Sequence, residues 1–260
     1  MEMQPQLIRE LVALLGVQGV LYQPEDLMLY EYDGSVELGS PKCIVFPNST
    51  REVSEIVRLA DRYDVPLLGR GAGTGLSGGA IARDGGLIVA FSRMNRILEI
   101  DKANLRAVVQ PGVVNLDLSR AVEHLGLYFA PDPSSQKSCT IGGNVAENSG
   151  GPHTLANGVT TNHVTGMELV LTDGEIVRIG GKNIETFGYD LNGVFVGSEG
   201  TLALVTEITV RLTRKAEAVK TLLAVYETID DATGSVFDIT VRAITPAACR
   251  SEERRVGKEC

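Results

Sequence analysis

The stretch RGAGTGLSGGA, Arg70–Ala80, places five glycines in eleven residues. It contains a literal G-x-G-x-x-G at Gly73, Gly75 and Gly78, the spacing that brings backbone close to a pyrophosphate. A dinucleotide loop of that type needs a strand before it, a long helix after it and a carboxylate about 20 residues on. VPLLG (Val65–Gly69) supplies the strand. The helix is missing, because Gly78 and Gly79 precede Ala80–Asp84 and Gly85 and Gly86 follow it, leaving no helical periodicity. Positions 93 and 95 are Arg and Asn, so no carboxylate waits for a ribose, and no Gly-Lys-Ser/Thr completes a nucleoside-triphosphate loop. What remains is a glycine-rich loop between two strands. Gly73 and Gly75 can take φ > 0 freely and turn successive N–H groups inward, a concavity that binds an anion without a lysine. A long hairpin turn explains the same composition.

Other residues with chemical potential read more plainly. His124 falls on an amphipathic helix and reads as a surface or packing residue. His153 and His163 lie in a glycine-rich region and read as structural hydrogen-bond donors rather than bases. No histidine pair has metal-ligand spacing. Asp230-Asp231 reads as a solvated helix start, not a catalytic dyad. Cys43, Cys139, Cys249 and Cys260 stand apart without a C-x-x-C pair, which argues against an iron–sulfur cluster or a zinc ribbon. They are expected to be reduced, buried thiols.

The elements that position these residues follow from periodicity. PQLIRELVALL puts Leu7, Leu11, Leu14 and Leu15 on one helical face, stopped by Gly16. KCIVFPNSTREVSEIVRLADRYDVPLLGRG reads strand, turn, helix, strand, with Thr50 as the expected N-cap, and delivers the chain into the glycine loop. GLIVAF, RILEID and LRAVVQPG follow as strands, the last two as a hairpin around Lys102-Ala103-Asn104. A helix is predicted from Asn115, closed by Gly126. Tyr128–Gly166 is too rich in turns for a core and too long for an ordinary connection, which marks it as functional. MELVLTDGEIVRIG is a hairpin turning at Asp173-Gly174, and Gly200–Leu212 alternates as a half-buried strand. VKTLLAVYETIDDATGSVFDI reads as a further strand and helix opening a second unit.

The chain of 260 residues, 43% hydrophobic, can bury one large core or two smaller ones. Its net charge of −9 argues against nucleic acid and against a polybasic membrane surface. An anionic cofactor would therefore be held by oriented backbone dipoles more than by a basic field. The start has an acid at position 2 and no basic region, unlike a signal peptide, and no apolar run reaches membrane-spanning length. A cytoplasmic location is expected, with membrane association through partner subunits as the alternative.

RGAGTGLSGGA, APDPSSQKSCTIGGNVAENSGGP and GYDLNGVFVGSEGTLALVTEITVRL, separate blocks in this order along the chain, carry a specific resemblance. They are similar to the FAD-binding (PCMH-type) half of the vanillyl-alcohol oxidase flavoproteins, in the branch of the glycolate oxidase FAD subunit and D-lactate dehydrogenase. The similarity runs from Tyr30 to Leu212. It implies an α+β fold of two subdomains holding an extended FAD between them. Arg70, Gly71, Ala72, Gly73, Thr74, Gly75 and Leu76 would wrap the pyrophosphate. Pro131, Asp132, Thr140, Gly142, Gly143, Asn144 and Gly150 would lie along the flavin. Gly158 and Thr160, with Glu199 and Gly200, would complete the cofactor shell. Thr140 is placed to cap a short helix, and Gly142 and Gly143 allow a planar ring to approach. Relatives with covalent flavin carry His in the pyrophosphate loop, whereas this loop has Ala72 and Thr74, so non-covalent FAD is expected. Ala156-Asn157-Gly158 departs from the usual Lys-Tyr-Gly, and Ala203 stands where Gly is usual.

The resemblance also implies the chemistry. A base takes the hydroxyl proton of a D-2-hydroxy acid, glycolate or D-lactate, while hydride passes from C2 to flavin N5. Electrons then leave to a quinone, a cytochrome, or an iron–sulfur or second flavin subunit. A lactone oxidase or cell-wall precursor reductase on the same fold is an alternative, as is a non-catalytic electron-transfer subunit. The substrate arginine and the HGDGN-like motif of the family are absent, so the catalytic residues are expected in a C-terminal half that this sequence does not contain. The expected division is a helical segment 1–36, the FAD-binding domain 37–215, and the start of a truncated substrate cap at 216–249. The closing string RSEERRVGKEC, 250–260, matches the translation of a common sequencing adapter and is set aside from the fold.

Overall fold

In the computed structural model, which describes residues 4–182 and 188–250, two β-sheets each carry packed helices. The strands are β1 (Val20–Leu21), β2 (Cys43–Val45), β3 (Leu67–Arg70), β4 (Leu87–Ala90), β5 (Ile97–Asp101), β6 (Arg106–Val109), β7 (Leu127–Tyr128), β8 (Val164–Leu171), β9 (Ile176–Gly180), β10 (Ala203–Arg211) and β11 (Thr213–Arg214). The α-helices are α1 (Pro5–Leu15), α2 (Pro24–Leu27), α3 (Thr50–Arg62), α4 (Asn115–Val122), α5 (Ile141–Glu147), α6 (Thr154–Asn157), α7 (Leu191–Phe195) and α8 (Ile229–Val241). The α+β organisation expected from the sequence is present.

The first sheet runs β1-β2-β4-β3. β2, β4 and β3 are parallel, and β1 closes one edge antiparallel. Its two faces separate by strand alternation. Cys43, Val45, Leu87 and Val89 pack against Leu7 and Leu11 of α1 and Val53 and Ile56 of α3. Ile44, Ile88 and Ala90 point the other way, towards Leu27. β4 is buried on both faces, and this is why LIVA carries no polar residue. Leu7 and Leu11 are fully buried, each contributing about 2 kcal/mol of apolar transfer.

The second sheet is antiparallel, β5-β6-β10-β8-β9, with β10 paired on both sides. Val109, Leu169 and Ile208 pack on Leu118 and Val122 of α4 and on Ile141 and Val145 of α5. The two cores meet where Val170 and Leu204 enter the first one. A Cβ on Gly69 would come within 2.9 Å of Leu204 Cδ2, so the end of β3 lies flush against β10. Both expected hairpins form. Asn104 closes the β5–β6 turn on the Asp101 carboxylate at 3.0 and 2.8 Å. Gly174, at φ 81°, turns β8 into β9, and its carbonyl accepts from Ser54 Oγ at 2.6 Å, docking α3 on the second sheet.

Three expectations are corrected. Ser49, not Thr50, caps α3: its extended backbone lets Oγ accept from Glu52 N at 3.3 Å. Thr50 is already helical, and its hydroxyl donates to Glu168 Oε1 of β8 at 2.5 Å. No strand forms at Val219–Tyr226, where Val219, Leu222, Leu223 and Val225 are 82–93% exposed and no neighbouring strand offers hydrogen bonds. The helix that follows does form, capped by Thr228 and with Asp230 and Asp231 in its first turn, yet it buries no residue. Cys43 and Cys139 are buried, but Cys249 is exposed. Burial pushes the Cys43 thiol up to about 12, so it stays protonated. Residues 251–260, most of the string set aside above, lie outside the described residues, as does Cys260. Among the described residues no helix is long and apolar enough to cross a membrane.

Candidate functional site

The glycine loop leaves β3 immediately after Arg70, whose backbone still pairs with Ala90 of β4. The Arg70 side chain turns back under the loop instead of outward. Nη1 donates to Ala80 O and Nη2 to Tyr32 O, both at 2.7 Å, and the guanidinium lies 5.4 Å from the Tyr30 ring centroid. Burial pulls its pKa down, against the opposing charge of Asp33. Gly73 adopts φ 67°, and a Cβ there would come within 2.5 Å of Arg70 Nη2. Gly75 does not follow the expected pattern. Its φ is not positive, and a Cβ would meet only Glu147 Oε1, at 3.5 Å. The loop therefore turns its amides through one left-handed glycine at 73 and another at 78 (φ 77°), not through alternate positions.

The facing wall is the start of α5. Thr140 caps it, Oγ1 accepting from Gly143 N at 3.2 Å. A Cβ on Gly71 would overlap that same Oγ1, so the two glycine-rich blocks touch at this point. Gly142 N donates to Pro111 O at 2.8 Å, and a Cβ on Gly142 would lie 2.5 Å from Pro111 Cβ. Packing against Pro111 therefore requires glycine at 142, in addition to any need for open space. Asn144 is 1% exposed, and its Nδ2 has no hydrogen-bond partner in the protein. An amide left so costs about 1–3 kcal/mol, and the group beside it is the Cys139 thiol, whose pKa burial raises and the Asn144 side chain pulls down by a smaller amount.

The third wall hangs from the far end of α5. Gly197 N donates to Val145 O at 2.8 Å and Glu199 N to Ala146 O at 3.0 Å, which brings Ser198–Gly200 over the cleft. Glu199 itself sits at φ 52°. Its carboxylate and that of Glu147 converge on Gly79, where a Cβ would lie 3.0 Å from each, and Ser77 Oγ donates to Glu147 Oε2 at 3.1 Å. The resulting cleft has a volume of about 610 Å³, within the ~300–1,000 Å³ span of small-molecule sites.

Of the residues expected at the site, Arg70 to Leu76, Thr140, Gly142, Gly143, Asn144, Gly150, Glu199 and Gly200 all line this cleft. Pro131, Asp132, Gly158 and Thr160 do not, and instead brace its walls. Pro131 O accepts from Asn115 Nδ2 at 2.9 Å, and Asp132 Oδ2 lies 2.5 Å from His153 Nδ1. Thr160 N and Oγ1 both bond Ser149 O, at 3.0 and 2.7 Å, and Gly158, at φ 74°, packs on Asn162. His163 is buried, its Nε2 donating to Asn157 O at 2.8 Å. Burial holds its pKa below the ordinary value, and the ring is neutral. Sequence reasoning missed Pro111, Glu147, Ser77 and the segment Tyr30–Gly34. The last packs so close that a Cβ on Gly34 would lie 2.7 Å from Gly75 O. Its signal was the pair of tyrosines beside an Asp-Gly turn in YEYDGS.

Most of the cleft lies within residues 41–180, which match the family model described as the FAD binding domain, more than half of the chain. This chain belongs to that FAD-binding family. It is similar to the glycolate oxidase subunit GlcD of Bacillus subtilis (strain 168), 50% identical over 222 residues, 85% of this chain and 47% of that protein. It is also similar to a D-lactate dehydrogenase of Anaerostipes hadrus, 37% identical over 217 residues, 83% of this chain and 46% of that one. Among solved structures, alkyldihydroxyacetonephosphate synthase superposes with a TM-score of 0.83 at 22% identity, over 95% of this chain and 47% of its own. At that identity the likeness shows the fold. The chain spans about half the length of the curated relatives it matches. The family's cofactor is FAD, and the residues of the cleft fit it. Gly73 turns the loop where a side chain has no room, and Asn144, whose buried amide Nδ2 has no hydrogen-bond partner, is one of the residues lining the cleft.

Proposed function

We propose that this chain is the cofactor-holding part of an enzyme that oxidises a D-2-hydroxy acid, glycolate or D-lactate, with FAD bound non-covalently. The observation that carries the cofactor part is the cleft between the two glycine-rich blocks, whose lining includes Asn144 with its buried, unpartnered Nδ2. The Gly71–Leu76 amides would hold the pyrophosphate, Asn144 Nδ2 would donate to a polar edge of the cofactor, and Gly143 would leave room along its face. Ala72 and Thr74 offer no histidine for a covalent link. When bound, FAD supplies the hydride acceptor, and this chain binds and orients it. The substrate class is supported by the names of the similar proteins, a glycolate oxidase subunit and a D-lactate dehydrogenase.

The catalytic base and substrate-binding groups belong to the half of the relatives' length that this chain does not span. Residues 37–215 form the FAD-binding domain. Residues 216–249, with their exposed apolar side chains, begin a substrate cap, and 250–260 are adapter-derived. The relative's designation as a subunit supports a partner subunit; in this reading the partner is the electron acceptor, an iron–sulfur or second flavin subunit, and the protein is cytoplasmic.

The test has two arms. The 260-residue chain is loaded with FAD and precipitated with acid. All the flavin should appear in the supernatant as FAD, and yellow protein in the pellet would overturn non-covalent binding. The uninterrupted gene, read through beyond Cys249, is then assayed with an artificial dye and glycolate or D-lactate. It should turn over where the 260-residue chain does not. Turnover by the short chain would place the chemistry in this half, and no turnover of either acid by the full protein would refute the substrate class.

A further inference from the structure

We propose that Arg70 is a positioning residue that ties the segment Tyr30–Gly34 to the glycine loop, so that this segment controls cofactor affinity without touching the cofactor. The inference rests on the proposed use of the loop as a pyrophosphate cradle. An arginine at the mouth of an anion-binding loop invites the opposite assignment, a guanidinium paired with phosphate. The geometry points away from that.

Arg70 is 6% exposed. Its two terminal nitrogens are committed to carbonyls from opposite directions in the chain, Tyr32 O, 38 residues earlier, and Ala80 O, 10 residues later. Its flat face lies over Tyr30, and Gly73 backs directly onto Nη2. To reach a phosphate the guanidinium would have to abandon both carbonyls. The charge is balanced from the segment itself. Asp33 is buried, its Oδ1 accepts from Ser35 N at 2.7 Å, and its Oδ2 has no hydrogen-bond partner, leaving it as a counter-charge for the guanidinium. Gly34 adds a second, non-ionic contact, pressed on Thr74 O and Gly75 O. The segment and the loop therefore form one unit with a planar, forked donor at its centre. Lysine has a point-like ammonium and cannot span both carbonyls while stacking on Tyr30.

The experiment follows amide hydrogen exchange in the FAD-free 260-residue chain, then titrates FAD, for wild type, Arg70→Lys, Arg70→Met and Tyr30→Leu. In both Arg70 variants, exchange should rise about tenfold in 28–38 and in 71–80 together, while β9 stays at its wild-type rate. FAD should bind about tenfold or more weakly, with lysine no better than methionine. Tyr30→Leu should move the same two segments by a smaller factor. Exchange that rises in 71–80 alone, or in neither segment, overturns the coupling. Arg70→Lys binding FAD within about twofold of wild type makes the guanidinium a direct phosphate charge and also overturns it. If the Arg70 variants fail to fold, Tyr30→Leu decides: paired exchange in both segments supports the proposal, and an unchanged pattern refutes it. If wild type binds no FAD, the cofactor assignment falls, while the exchange data still decide whether Arg70 couples the two segments.

Discussion

Gly73→Ala separates a loop that needs one specific backbone conformation from a loop that is merely glycine-rich. At φ 67° an L-residue costs roughly 1–2 kcal/mol in backbone strain. The added Cβ would also stand 2.5 Å from Arg70 Nη2 and 2.9 Å from Cζ. The guanidinium cannot yield without weakening its bonds to Ala80 O and Tyr32 O, and losing one charge-assisted bond costs about 1.5–3 kcal/mol. The two terms together come to about 2.5–5 kcal/mol, most of it borne by the loop in its anion-binding shape. If the variant escapes that cost by letting the loop rearrange, the competent fraction falls and FAD affinity falls with it, by roughly 100- to 1,000-fold. Gly75→Ala is the internal control. Its φ is not positive and its Cβ would make only an ordinary contact, 3.5 Å from Glu147 Oε1, so FAD affinity should stay within about threefold of wild type. Quenching of flavin fluorescence, titrated at fixed salt, reads both. Equal losses at 73 and 75 would refute the role given to a single left-handed glycine, and wild-type affinity in Gly73→Ala would remove the loop from the binding site altogether.

Three further outcomes are expected. Asn144→Leu removes the orphaned Nδ2, so thermal melts without FAD should be unchanged or about 1 kcal/mol more stable, while FAD binds at least about tenfold more weakly; a variant that keeps FAD affinity would show that Asn144 does not contact it. Glu147→Gln and Glu199→Gln each take a negative charge from beside the loop, and should tighten FAD about two- to fivefold at low salt, an effect that vanishes at high salt; weaker binding would mean that these carboxylates accept from the cofactor. Burial lowers the His163 pKa below 6.5, so the unfolded chain binds the extra proton first. Its contribution to stability is complete above pH ~6.5 and is lost as pH falls below it towards the folded value. His163→Gln should flatten the melting temperature in that acid window, and an unchanged slope would assign the acid loss to other groups.

The sequence by itself determined the elements whose information is local. Helix α1, the β4 run, the turns at Asn104 and Gly174 and the Thr140 cap each depend on periodicity or on a residue within three or four positions. It also determined that RGAGTGLSGGA is no dinucleotide fingerprint, because the helix such a fingerprint needs would have had to follow at once, and Gly85-Gly86 forbids it. Where two local answers were available, a distant contact decided between them: Ser49 and Thr50 are both caps by type, and the Glu168 carboxylate, 118 residues away, draws the Thr50 hydroxyl aside. Only the tertiary structure decided what each glycine is for. Gly142 yields to Pro111 and Gly71 to Thr140, neighbours that no short window contains, and Gly73 yields to Arg70, close in sequence but held under the loop by Tyr32 O and Ala80 O. The same holds for Tyr30–Gly34 and for Val219–Tyr226. The first became part of the site because a buried guanidinium found its carbonyl across 38 residues. The second has strand-forming residues but no partner edge, and a strand takes its hydrogen bonds from a neighbour that its own sequence does not specify.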